Sequence, residues 1–196
     1  MPGMDTPSTI SDPERIRALA HPVRLELLDH LRDVDEATAT ECAARVGESV
    51  ASCSFHLRIL EKYGYIERAQ QRGREKPWRV RRPGSSLDAR PDRAVPGSLH
   101  AVQELAALTV TREADRVARY LAQASEEPDE WLQAVTVSTA GFWATAAELR
   151  ELSQEVHDLV QRFSGRSADP ALRPEGARHA RLFATVNPDP APRQED

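Results

Sequence analysis

The chain has 196 residues, 40% of them hydrophobic and 29% charged, with a formal net charge of -5. No apolar run approaches the roughly 20 residues that cross a bilayer, and the opening MPGMDTPSTISDPE lacks the basic and apolar regions of a secretory leader. Two cysteines, Cys42 and Cys53, are too few for a disulfide scaffold or a four-cysteine zinc module. The composition therefore excludes a membrane protein and leads to the expectation of a cytoplasmic protein built from two small domains. The preference for arginine over lysine matches a GC-rich bacterial genome.

Helix signals fill the first 65 residues. Ser11 with Glu14, and Pro13 in the first turn, predict a helix through Ile16 and Leu19. Pro22 ends it and starts a second helix running to about Arg32, with Val23, Leu27 and Leu31 on one face. Thr38 with Glu41 forms a capping box for a short helix over Cys42, Ala43 and Val46 that stops at Gly47. Ser49 is the natural cap of a fourth helix, Val50 to Tyr63, ended by Gly64. Tyr65–Gln70 and Trp78–Arg81 then read as two strands joined by a turn around Arg72-Gly73-Arg74-Glu75.

Short helices followed by a hairpin predict a winged helix-turn-helix at 11–82, preceded by a flexible arm at 1–10. Residues 83–97, PGSSLDARPDRAVPG, show no apolar period and read as a linker. A long amphipathic helix follows at about 98–124, ended by Pro128. Strands are expected at 134–138, 141–144 and 182–186, and Thr145 with Glu148 caps a helix reaching Phe163. The tail from 188 reads as disordered. The expected fold is thus mainly α with a little β: a winged helix-turn-helix plus a C-terminal α+β domain at 98–187 carrying the long helix.

Charge separates the two halves. Residues 1–83 hold 14 basic and 13 acidic side chains, whereas 84–196 hold 12 and 18. Within the first half, residues 56–82 carry nine cations, Lys76 among them, against three carboxylates. A basic stripe on a near-neutral module is the footprint of phosphate contact; a solvated charged face is the alternative.

Helical geometry gives the fourth helix two faces. With Cys53 taken as inward, Leu57, Leu60 and Gly64 fall within about 40 degrees of it, and Ala51, Phe55, Arg58 and Lys62 fall opposite, with Ser52 and Ser54 on the flanks. Short side chains at Ser49, Ala51, Ser52 and Ser54 permit close approach to base edges in a major groove. Arg58 and Lys62 are placed to meet phosphates, or for Arg58 a guanine edge. Phe55 either touches thymine methyl groups or packs within the protein. His56, beside the inward stripe, bonds either within the protein or to a phosphate. On the wing, Arg72 and Arg74 flank Gly73, which permits a tight turn near a groove or phosphate.

The segments ALAHPVRLELLDHL at 18–31, SVASCSFHLRILEKYGYI at 49–66 and the RGREKPWRV wing resemble the ArsR-type winged helix-turn-helix repressors, over about residues 12–82. The resemblance implies a homodimeric transcriptional regulator on an imperfect palindrome of double-stranded promoter DNA. It places Ser52, Ser54, Phe55 and His56 on recognition-helix positions and Arg72 and Arg74 on the wing. An interaction module whose winged helix no longer binds DNA is the competing expectation.

Many such relatives sense metals through two cysteines separated by one residue, or through Asp and His ligands on a C-terminal helix. This chain has Cys42 alone on the corresponding helix, and its six histidines lack helical pairing, so no metal or other cofactor is expected. Both thiols are expected to be buried and inert. No nucleotide-binding loop, zinc-protease motif or nucleophile elbow occurs, and no enzyme is expected. Six of the ten aromatic residues lie beyond the linker: Tyr120, Trp131, Phe142, Trp143, Phe163 and Phe183. They serve either a core or dimer interface or a small-molecule effector pocket.

Overall fold

The computed structural model describes residues 9–71, 76–81, 88–167 and 169–190. They fall into two compact units: residues up to Asp115 together with Ser164–His179, and Arg116–Phe163 together with residues from Ala180 onward.

The first unit begins with β1 (Thr9–Ile10), α1 (Pro13–Arg17) and α2 (Pro22–Val34), then β2 (Glu36–Ala37), α3 (Ala39–Val46) and α4 (Val50–Lys62). After these come β3 (Ile66–Arg68), β4 (Trp78–Val80), β5 (Asp88–Ala89) and the start of α5 (Ser98–Gln123). Capping chemistry sets most helix boundaries. The Thr38 hydroxyl accepts from the Glu41 amide while the Glu41 carboxylate accepts from the Thr38 amide at 2.7 Å, closing the expected box on α3. Gly47 ends that helix at φ 78°, a left-handed conformation that glycine adopts without strain. Ser49 Oγ accepts from the Ser52 amide at 3.1 Å and starts α4. For α1 the cap is Asp12, whose carboxylate accepts from the Glu14 amide. The expected Ser11 lies one residue too early, because an Asp side chain reaches the amide two residues ahead of it.

The core is one cluster. Leu27, Leu28 and Leu31 of α2 meet Cys42 and Ala43 of α3 and Cys53, Leu57 and Leu60 of α4, with Ile66, Trp78 and Val80 closing the sheet side. The expected hairpin forms as β3 antiparallel to β4, and β2 joins the other edge of β4 to give the order β2-β4-β3. Across the hairpin Arg79 bonds Glu67 at 2.7 Å, and the Arg68 guanidinium stacks 3.4 Å from the centre of the Trp78 ring. The Tyr65 hydroxyl donates to the Arg15 carbonyl at 2.6 Å and ties α1 to the start of β3.

The arm and the linker contain a pairing that the sequence conceals. Thr9–Ile10 run parallel to Asp88–Ala89, the Arg90 amide donates to the Ile10 carbonyl, and Ile10 is buried in the core. Residues 1–8 and 83–87 lie outside the described residues. Ser98, fully buried, accepts from the Asp92 amide at the head of α5. The first turns of α5 then bring Ala101 and Leu105 into the same core, and Arg112 bonds Asp29 of α2 at 3.0 Å.

The second unit holds the rest of α5, α6 (Asp129–Ala134) and α7 (Ala146–Gln161). The Thr145–Glu148 box forms as expected. The long helix closes at Gln123, before Pro128. The strands expected at 134–138, 141–144 and 182–186 do not form: Ala134 ends α6, and the other residues have no regular secondary structure. An apolar run becomes a strand only when another strand pairs with its backbone, and among the described residues no strand pairs with these runs. Among the described residues no helix is long and apolar enough to cross a membrane.

Because Leu57 is wholly buried at the junction of α2, α3 and α4, replacing it with alanine should cost about 2–5 kcal/mol in urea unfolding. Thr38→Ala, which removes one cap, should cost about 1 kcal/mol.

Candidate nucleic-acid interface

The inner stripe of α4 decides which side of the helix faces outward. Cys53, Leu57 and Leu60 are each fully buried, and the opposite positions, Ala51, Phe55, Arg58 and Lys62, are exposed. Ser49 is exposed, with its oxygen engaged in the cap, and Ser52 and Ser54 are half-buried on the flanks. The two-faced helix expected from 100-degree stepping is the one observed.

Phe55 is 59% exposed, and its ring meets the edge of His56 at 5.3 Å between centres. An aromatic this open lies on a surface rather than in a core. Arg58 has no ion-pair partner among the described residues, and the Lys62 ammonium lies 5.1 Å from the Tyr63 ring centre. Both cations stand on the side of the helix that carries the short residues Ala51 and Ser54. On the strands Arg68 and Arg79 are held by Trp78 and Glu67, which consumes part of the basic stripe in binding the hairpin together. Lys76 and Arg81 are exposed at the two ends of β4. The wing-tip residues Arg72, Gly73 and Arg74 lie outside the described residues.

His56 differs from its neighbours on the helix. It is only 9% exposed, and its ring centre lies 4.5 Å from that of His21, the residue before α2. Neither Nδ1 atom has a hydrogen-bond partner among the described residues, nor does the buried Nε of Arg24, one turn along α2. Burial lowers the basicity of both imidazoles, and the nearby Arg24 guanidinium lowers it further. Helical stepping marks His56 as lying beside the inward stripe of α4, but it does not point to the neighbouring His21 and Arg24 of another segment. The only sequence signal for them is the AHPVR run at 20–24.

The two thiols are buried. Burial first, then the nearby Cys53 and Glu41, pushes the Cys42 thiol up to about 12, and burial also raises that of Cys53. Among the described residues no group of three or more His, Cys, Asp or Glu side chains could hold a metal ion.

Residues 19–68 match the family model of a helix-turn-helix domain. No curated protein sequence matches the chain. Among solved structures, the chain is similar to the homodimeric winged helix-turn-helix DNA-binding domain of a possible ArsR-family transcriptional regulator from Mycobacterium bovis. The identity is 21%, over 50% of this chain and 76% of that one, with a TM-score of 0.33. A possible transcriptional regulator for arsenical resistance is 24% identical over 56% of this chain and 95% of its own, with a TM-score of 0.32. ZitR of Lactococcus lactis is 14% identical over 76% and 88%, with a TM-score of 0.33.

Thiols so buried and so weakly acidic react as slowly as the chain opens. In the native protein at pH 7.5, a disulfide-exchange reagent should label neither Cys42 nor Cys53 within minutes, and should label both at once in 8 M urea. Fast native labelling would place the thiols outside the core.

Proposed function

We propose that the chain is a sequence-specific double-stranded DNA-binding transcriptional regulator, a repressor that acts as a homodimer on a palindromic operator. The observation that carries this reading is the outer face of α4, where Ala51, Phe55, Arg58 and Lys62 are exposed while the inner stripe is sunk in the core. A helix held from behind, with short side chains near its N-terminus and cations one and two turns on, fits a major groove: the short residues admit base edges, and the cations reach guanine or phosphate. Arg72, Gly73, Arg74 and Lys76 then bring the wing to the adjacent groove or backbone. The short residues Ser49, Ser52 and Ser54 complete the approach of the helix, and His56 supports it from the protein side.

The second unit supplies the self-association. Its aromatic residues do not form an internal core: Phe142, Trp143, Phe163 and Phe183 are exposed, and Tyr120 and Trp131 are half-buried. Apolar surface of this kind is covered by a partner, and a second copy would set two recognition helices about 34 Å apart, one turn of duplex. A small apolar effector acting on the same aromatics would tune the pairing. The protein then works in the cytoplasm, where the operator is, and needs neither catalysis nor a cofactor.

The test begins with selection of duplexes from a random pool on the full-length protein. The recovered sequences should share an inverted repeat with half-sites about 10 base pairs apart. A salt titration on the best duplex should give a steep negative slope. Arg58→Ala should weaken binding by about tenfold or more and flatten the slope by about one unit. Affinity equal to that for random DNA at physiological salt would favour a winged helix that docks protein instead.

A further inference from the structure

Two imidazoles, His56 on the buried side of α4 and His21 at the start of α2, add a polar contact beside the apolar stripe that seats α4. His21 sits at the cap position of α2 without capping it, and its ring lies 4.5 Å from His56 at a tilt of 38°. Both Nδ1 atoms are shut away from solvent with no acceptor or donor among the described residues. An imidazolium carries N–H on both ring nitrogens, so either ring, once protonated, would hold an Nδ1–H in a site that offers it no acceptor.

The surrounding charges make that site worse for a cation. From α2, Arg24 faces both rings, with its own Nε buried and unpartnered and one terminal nitrogen donating to the Arg17 carbonyl. From α4, the Phe55 ring lies against His56, and Tyr63 near the end of the helix is close to Arg24. From the α3–α4 turn, Glu48 is the one carboxylate that faces the imidazoles among the described residues, and it is exposed to solvent, where its attraction is screened. Two imidazoles and a guanidinium thus lie together with a single solvent-exposed counter-charge among the described residues.

We propose that His21 and His56 form a proton-sensitive latch: α4 stays seated on the start of α2 while both rings are neutral, and acidification loosens α4 and lowers its affinity for DNA. The latch deepens the reading of α4 as the groove-entering helix, and its DNA arm rests on that reading. The sign follows from linkage. Both rings are less basic in the folded chain than their ordinary value of 6.5, so the unfolded chain takes up protons first as pH falls. Stability is complete above that value and is lost progressively below it. The effect on DNA runs against the general trend, because a more protonated, more cationic protein ordinarily binds the polyanion more tightly.

The decisive comparison is urea unfolding of the full chain and of His21→Asn at pH 7.5 and 5.5; asparagine is a good capping residue for α2 and does not titrate. The fall in stability between the two pH values should be smaller in the variant, by at most about tenfold in unfolding constant for the one imidazole removed. His30 on α2 is also made less basic by burial and by Arg45, but it is common to both proteins and cancels. Equal pH dependence would overturn the latch. Should His21→Asn fail to fold, the ring carbon–proton resonances of the wild-type protein decide the question: both imidazoles neutral at pH 6 supports the latch, and either ring half-protonated at or above pH 6.5 overturns it. On the duplex recovered by selection, at fixed ionic strength, wild-type affinity should fall from pH 7.5 to 5.5 and fall less in the variant. Unchanged or tighter binding in acid would overturn the coupling to DNA. Absence of duplex binding at both pH values, with neutral rings seen by resonance, would reject the DNA reading and leave the latch standing.

Discussion

The position of α4 rests on a single apolar stripe. Cys53, Leu57 and Leu60 recur at helical spacing, and burying them against α2 and α3 leaves the opposite residues no direction but outward. Everything functional follows from that division: the same burial that stabilises the unit aims Arg58 and Lys62 away from it and makes His56 a buried neighbour of His21. Fully burying one such leucine contributes about 1.5–3 kcal/mol, more than an exposed cation would cost or gain, so the core decides which face is presented.

Local chemistry was legible in the sequence and long-range pairing was not. The Thr38–Glu41 box, the Ser49 cap, Gly47 and the Thr145–Glu148 box are each specified by residues within a few positions of one another, and each appears where expected. The two faces of α4 were legible for the same reason, since one stripe of three residues defines them. By contrast, β2 is two residues long and pairs with β4, which lies some 40 positions away, and β1 pairs with β5 across nearly 80. Nothing in Thr9–Ile10 or Asp88–Ala89 marks them as strands until the partner is known. The His21–His56 contact spans 35 positions and has no local signature either.

The errors beyond residue 130 have the opposite origin. Val135, Val137, Phe142 and Trp143 have strand-forming side chains, but their backbones meet no strand and the side chains stay exposed. Among the described residues from 116 onward none is buried, although α7 is properly capped and reinforced by the Gln154–Asp158 bond. Helices of this kind draw most of their stability from covering an apolar face, which is why the proposed homodimer assigns that face to a second copy. The charge split fits the proposed division of labour, since the first half is near neutral and locally basic and the second is acidic.

The most direct test of the account is the response of backbone amide resonances to a selected duplex of about 20 base pairs. The largest shifts should fall on Ser49 to Lys62, strongest at Ala51, Ser52, Phe55 and Arg58, with a second group around the wing. Shifts confined to residues beyond 116, or none on α4 at duplex concentrations that saturate binding, would contradict it.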